Sequence, residues 1–357
     1  MTVYIIFLAL LFSVKWLQNR IGTQGNGLYF LALFITFAFC AFRFEVGCDW
    51  TGYLNQWRLV EFGNDNAAFG AREWLWWAVL EALEASGVHY VWVNVVAAII
   101  FFGGLHYFAK RQPDPLGFLV LCLPILVINM PMSALRQAIA IGIILFALGA
   151  FLDKRTWLFV ALVALASTFH SSAAIFILLA PLVGGRLSWA RVAVTALLAI
   201  PGLALLLTSS QAEVAVTRYI EGDTDAFGAA FRSGLLGVTG MFYFLFLEGY
   251  WKRKSPADYS LVTIGALMML MDLALVSVSS VIADRFGYYL IPIQTMIFIK
   301  MASVRTQRYS KALALAPYAG LFLFATVWFG LSTHFERCYV PYKSWILGVP
   351  ESGQYIY

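Results

Sequence analysis

A dozen apolar runs recur along this 357-residue chain, at 3–14, 28–42, 91–108, 116–130, 138–152, 158–169, 173–183, 192–207, 235–247, 261–281, 288–299 and 312–331. No soluble fold buries that many. The hydrophobic share is 61%, the charged share 12% and the mean hydropathy +0.79, whereas soluble domains carry about 25% charged residues. The chain reads as an all-α polytopic integral membrane protein. Several runs are shorter than the ~20 residues an upright span needs, so about 10–12 transmembrane or re-entrant helices are expected, some of them tilted. The first positive charge, Lys15, follows the first apolar run instead of preceding it. That run is therefore expected to stay as a helix and not to be cleaved as a signal peptide.

The connecting segments sort by charge. Fifteen of the 24 basic residues fall in alternate loops with Lys15 and Arg20, Lys110 and Arg111, Lys154 and Arg155, Arg186 and Arg191, Lys252 to Lys254, Lys300, and Arg305, Arg308 and Lys311. Only Asp114, Asp153, Glu248 and Asp258 oppose them there. By the positive-inside rule these loops are cytoplasmic and the others, in which acids outnumber bases, lie outside. This parity requires the run around "STFHSS" to be a hairpin broken near His170, where Thr168, Ser171 and Ser172 interrupt it. Both termini then lie outside, and residues 1–357 form one membrane domain with no internal repeat. Three outer segments stand out: 43–90, 209–232 and the tail 333–357. Within the first, "AREWLWWAVLEALEASG" sets Trp74, Trp77, Val79, Leu80 and Leu83 near helical spacing and is expected to lie as a helix in the outer interface. The aromatic, proline-punctuated tail is expected to be ordered there and not to cross the bilayer.

Polar side chains collect at the outer ends of the spans: Arg43 and Asp49 in "FRFEVGCDWTGY", Arg136 in "SALRQAIA", His170, Arg285 and Tyr288 in "ADRFGYY", and Arg337. Arg136 and Arg285 each stand at the expected start of an apolar helix, after Pro131 and Ser133 in one case and after Asp284 in the other. A helix N-terminus with a guanidinium is an anion site, and arginine at membrane depth faces a protein interior or a water-filled cavity. Its planar fork matches phosphate oxygens. Asp49, Glu73 and His170 are the candidate bases on the same face, since a carboxylate or imidazole beside low-dielectric surroundings can be tuned for proton abstraction. A plainer role for Asp49 is to pair with Arg43, and for His170 to cap the helix break. Asp272 is the one acid deep in an apolar run, a position that suggests either function or a bond to a neighbouring helix. His89, His106 and His334 read as structural. Four cysteines without a C-x-x-C or a His/Cys cluster in sequence give no zinc or redox signature, so neither metal nor cofactor is expected. Cys48 and Cys338 both fall outside, where a disulfide is permitted, but the reading does not bridge them.

Taken in order, "RFEVGCDWTGY", the Glu73 helix, "SALRQAIA", "FHSS", "DRFGYYL" and "YVPY" resemble the EpsG family of Wzy-type polysaccharide polymerases, from Arg43 to Tyr342. Cys48 departs from the family pattern, which commonly has a small or hydroxylated residue there. The resemblance implies a GT-C-like helical glycosyltransferase of the bacterial inner membrane with its active face periplasmic. Its substrates would be polyprenyl-diphosphate-linked oligosaccharides, one as donor and one as acceptor, with membrane lipids around it and room for a chain-length regulator, but no nucleic acid. On this resemblance Arg136, Arg285, Arg43 and Arg337 hold diphosphate. Gln137, Tyr53 and Tyr288 orient sugar or phosphate oxygens, and one of Asp49, Glu73 and His170 deprotonates the acceptor hydroxyl. A ligase of the O-antigen type would use the same chemistry on another acceptor. A transporter would place its polar site nearer the bilayer midplane.

Overall fold

A computed structural model describes residues 1–21, 26–63, 73–184, 188, 190–195, 197, 228–301 and 310–348. Nearly all of the outer segment 209–232, most of the apolar run 192–207, the tail beyond 348, and Arg186, Arg305 and Arg308 lie outside the described residues. The helices are α1 (Thr2–Ile21), α2 (Asn26–Ala41), α3 (Trp50–Glu61), α4 (Trp74–Ala85), α5 (Trp92–Ala109), α6 (Pro115–Cys122), α7 (Leu135–Leu152) and α8 (Thr156–Ser167). They continue with α9 (Ala229–Phe242), α10 (Glu248–Lys254), α11 (Pro256–Leu275), α12 (Ser280–Met301), α13 (Ser310–Leu331) and α14 (Thr333–Tyr339). Among the described residues six helical segments are long and apolar enough to cross a membrane: α1, α5, α7, 229–254, α11 and most of α13. Shorter apolar helices lie at α2, 115–127, α8 and 171–182. Among the described residues the only extended pairing is one antiparallel bridge, Arg43 with Ser344. The chain is an all-α polytopic membrane protein.

Two compact units divide the chain. The first comprises Met1–Ile143, Thr168–Ser171 and Tyr318–Tyr357. In it α2 packs on α5, and α6 on α1 and α2. α5 meets α7 at a glycine pair, where a Cβ on Gly104 would sit 2.0 Å from the Gly142 carbonyl oxygen. Without a hydrophobic drive between helices in lipid, such backbone approach is a main source of packing energy. Lys15 is 5% exposed despite its charge. It is held by Asp114 at 2.6 Å and Gln18 at 2.9 Å, and Asp114 also caps α6 by accepting from the Gly117 amide at 2.9 Å.

The second unit comprises Ile144–Ser167 and Ser172–Pro317. Here α9, α11 and α12 form a mutually packed trio. Buried polar side chains tie the trio together, Gln294 to Thr239 at 2.8 Å and Tyr243 to Thr263 at 2.8 Å. Such bonds are worth having where water cannot compete. Asp272 is fully buried in α11, beside Ser233 of α9.

The interruption at His170 is present: α8 stops at Ser167, and a 3₁₀ helix runs Ser171–Leu182. Its buried residues are Ala173, Phe176, Leu179 and Leu182, one every third position. A 3₁₀ helix rises about 2.0 Å per residue, so these 12 residues reach farther than an α-helix of equal length.

The helix expected in "AREWLWWAVLEALEASG" is α4. Trp76 and Leu80 are its buried residues, while Trp74 is 54% exposed. Trp76 is fixed by donating to Gln56 Oε1 at 2.7 Å and by packing on Tyr53, with ring centroids 5.0 Å apart.

Candidate active site

The site begins where α2 ends. Beyond Ala41 the chain turns back on itself, and Arg43, only 1% exposed, staples the turn. Its Nε donates to the carbonyls of Val46 (3.0 Å) and Met132 (2.8 Å), and its Nη1 to Cys40 (3.3 Å). Arg43 therefore bonds main-chain carbonyls, and Asp49 is not its partner. Gly47 makes the same junction from the other side. Its φ is +104° and a Cβ there would lie 2.0 Å from Met132 O, so only glycine fits. The tail runs alongside, with Phe44 N donating to Lys343 O (2.9 Å), Trp345 N to Phe42 O (2.9 Å) and Gly47 N to Cys338 O (2.7 Å). These bonds bring the α-carbons of Cys48 and Cys338 to 4.7 Å, and the two are joined in a disulfide. The sequence permits this bridge without establishing it, since 290 residues separate its halves.

The loop so fixed presents Asp49 and α3 to the start of α7. Asp49 precedes α3, exposed, with its amide donating to Ser133 Oγ at 3.4 Å. Tyr53, 4% exposed, accepts from the Arg136 amide at 3.4 Å, and its ring lies 5.8 Å from the Arg136 guanidinium carbon. Arg136 is the second residue of α7. Its Nη1 meets Glu73 Oε2 at 2.5 Å. The other oxygen, Glu73 Oε1, accepts from the Ser171 amide at 3.0 Å and faces His170 Nδ1 at 3.4 Å. All three candidate bases thus gather around Arg136 and Tyr53. Burial, followed by the charge of Asp49, raises the pKa of the Tyr53 phenol, while Arg136 works against both.

This arrangement has two chemical capacities. The Arg136 side chain keeps 36% of its surface exposed while Glu73 keeps 13%, so the guanidinium has an open edge at the N-terminal end of a helix, where an anion is favoured. A carboxylate on the Nδ1 side of an imidazole fixes its tautomer and leaves Nε2 as the proton-accepting nitrogen. Glu73 serves both neighbours at once.

Other expected residues are placed elsewhere. Gln137 is 3% exposed, pointing into the packed part of α7. Arg337 is exposed on α14. Arg285 and Tyr288 belong to the second unit, and α12 starts at Ser280, so Arg285 sits past the first turn and not at a helix N-terminus. The aspartate expected to open that helix, Asp284, instead receives Arg232 Nε at 2.7 Å and Nη2 at 2.6 Å. Arg232 lies over the Tyr288 ring at 5.6 Å. Sequence reasoning counted Arg232 only as a loop charge. It also missed the Ser171 amide, which carries no sequence signature, and His334, whose Nε2 lies 3.0 Å from Cys48 Sγ.

The EpsG family model matches residues 26–344, from the first residue of α2 to the residue bridged with Arg43. The chain belongs to the EpsG family. EpsG is a Wzy-type polymerase family, and membership supports a polysaccharide polymerase of the glycosyltransferase type, a multi-pass membrane protein whose substrates are lipid-linked sugars. Every residue of the Asp49–Tyr53–Glu73–Arg136–His170 cluster falls within the EpsG match. No curated protein and no solved structure matches the chain.

Proposed function

We propose that the protein transfers a growing glycan from its polyprenyl diphosphate carrier to a hydroxyl of a lipid-linked repeat unit, at the periplasmic face of the bacterial inner membrane, within a GT-C-like architecture. The observation that carries this reading is Glu73 bridging Arg136 and His170. It places an anion-binding guanidinium beside an oriented imidazole, as displacement of a diphosphate by a hydroxyl requires.

The acceptor oxygen attacks the anomeric carbon of the donor as the bond from that carbon to the diphosphate oxygen breaks. The hydroxyl proton passes to His170 Nε2, and Glu73 stabilises the resulting imidazolium. The diphosphate leaves with its added negative charge against Arg136, a preorganised donor that needs no rearrangement at that moment. Among the three candidate bases His170 suits the role best. Both oxygens of Glu73 are already engaged, by Arg136 and by the Ser171 amide, and Asp49 is exposed, its charge acting on Arg136 and Tyr53. Diphosphate contact by Arg285 and Arg337 and sugar contact by Tyr288 and Gln137 stay part of the proposal on the family resemblance alone, each checked by its own alanine variant in the assay below.

Purified protein given a single lipid-diphosphate oligosaccharide and no nucleotide sugar tests the reading. A ladder of chain lengths is expected, abolished in Arg136→Ala and in His170→Ala at unchanged folding. A single addition would replace polymerisation by a ligase reaction, and full ladders from either variant would remove the assigned roles.

A further inference from the structure

The outer clamp holds a second constellation that the glycosyl transfer does not use. His334 and Cys338 lie four residues apart on α14, a spacing that sets two side chains on one face of a helix. Cys48 comes from the loop opposite. The three ligand atoms all fall within 4.8 Å of one another. In a tetrahedral zinc site with bonds of about 2.0–2.3 Å, neighbouring ligand atoms are roughly 3.5–3.8 Å apart, so rotamer changes of small amplitude would close the site.

Two states of these atoms exclude each other, because sulfurs joined in a disulfide cannot serve as thiolates. The site therefore depends on whether the cysteines stay together once the bond is cut. They are held independently of it. The loop is pinned to the tail by Gly47 N to Cys338 O at 2.7 Å, Phe44 N to Lys343 O at 2.9 Å, Trp345 N to Phe42 O at 2.9 Å and Lys343 to Glu45 at 2.5 Å. Arg43 anchors the same loop to Met132. Reduction thus leaves two thiols facing each other across a fixed gap with an imidazole beside them. His334 is exposed, Cys48 and Cys338 are half-buried, and ions reach them from solvent.

We propose that Cys48, Cys338 and His334 form a zinc site in the reduced protein, so that the loop carrying Asp49 is cross-linked to the tail by a disulfide under oxidising conditions and by a metal under reducing ones. Two thiolates and one imidazole are a borderline-soft donor set suited to Zn²⁺, with the fourth position open to water. With a phosphine as reductant the steps balance. The phosphine takes oxygen from water and becomes the phosphine oxide, the disulfide sulfurs gain the two electrons, and water supplies the two thiol protons. Zinc then displaces both protons to solvent and binds two thiolates and a neutral imidazole nitrogen. The assignment is independent of the polymerase reading, and its test is read by binding alone.

Full-length protein in detergent, with and without phosphine treatment, is given Zn²⁺ alone and then Co²⁺ as a spectroscopic substitute. Reduced wild type is expected to retain one equivalent of metal after gel filtration and to show thiolate-to-cobalt charge-transfer absorption, while oxidised wild type shows neither. Cys48→Ser and Cys338→Ser should lose the absorption. His334→Ala should weaken zinc binding at least about tenfold, since even outer-shell partners of metal ligands are worth 10- to 100-fold. A variant lacking the buried thiols of Cys40 and Cys122 should behave as wild type. Tryptophan fluorescence follows the fold after reduction. No metal in reduced wild type, with or without loss of fold, overturns the proposal, as does undiminished absorption in Cys48→Ser.

Discussion

Replacing Glu73 by glutamine isolates what its charge does, because the amide keeps the volume and can still accept from the Ser171 amide. Two contacts change. Opposite Arg136, two unit charges about 4 Å apart interact by about 4 kcal/mol at an effective dielectric of about 20. The Arg136 side chain is 36% exposed, and solvent screening and desolvation leave about 1–2 kcal/mol of that as net stabilisation. Opposite His170, the lost term is the attraction between the carboxylate and the ring, whose Nδ1 lies 3.4 Å from Oε1; it is worth about 1.5–3 kcal/mol once the ring gains a proton in the transition state and the contact tightens into a charged hydrogen bond. Since about 1.4 kcal/mol is tenfold in rate, kcat should fall about 10- to 100-fold. KM for the lipid-diphosphate donor should fall, because the freed guanidinium then meets diphosphate without a competing carboxylate. Initial rates of ladder extension over a matrix of donor and acceptor concentrations separate the two constants. A kcat within about twofold of wild type would refute the imidazole-orienting role of Glu73, and a raised donor KM would refute the picture of Glu73 as a resident competitor for Arg136.

Arg43→Met should leave the Val46 and Met132 carbonyls buried without a donor and cost about 2–4 kcal/mol of stability, read as a lowered melting temperature with kcat of the folded fraction preserved. Gly47→Ala drives a methyl group into Met132 O and strains a left-handed backbone, each an effect of about 1–3 kcal/mol; limited proteolysis should show the 43–49 loop opened, and an intact loop would contradict the clamp. The Tyr53 phenol has a raised pKa in the folded state, so its contribution to stability is complete below the ordinary value of about 10 and is lost as the pH rises through the folded value. Tyr53→Phe should therefore move the alkaline unfolding midpoint upward, followed by tryptophan fluorescence, and an unchanged midpoint would show that another group controls it.

Much of the cluster around Arg136 was legible in the sequence, and the reasons are particular. Asp49, Arg136 and His170 are polar residues near the end of an apolar run, and Glu73 opens the helix pattern of the segment between two runs; such residues stand out where nearly everything else is apolar. The break at His170 followed from charge parity and four polar interruptions within five residues. What Arg43 does was not legible, since a guanidinium bound to carbonyls and one bound to phosphate look alike until the loop geometry is known. Periodicity picked out the Trp74, Trp77, Val79, Leu80 and Leu83 stripe as a membrane-facing one, but carried no sign that Gln56 and Tyr53, 20 or so residues upstream, hold Trp76 inside the protein. Asp284 suggested that a helix begins after it, yet α12 starts at Ser280, and Asp284 inside that helix pairs with Arg232. The disulfide and the His334 triad depend on contacts across 286 or more positions of the chain, which no local pattern carries.

The 3₁₀ segment Ser171–Leu182 has a consequence for length. Wound at 100° per residue, as an α-helix is, Ala173, Phe176, Leu179 and Leu182 would fan through about 180°, and half of them would leave the packed side. Wound at three residues per turn they form one straight ridge. The spacing of four side chains therefore chooses the pitch, and the pitch sets the span: about 24 Å as found against about 18 Å for the same residues as an α-helix. The segment works as a spacer whose gauge is written in its ridge. One inserted residue would turn everything beyond it by about 120°, and a change to α pitch would shorten the segment by roughly 6 Å.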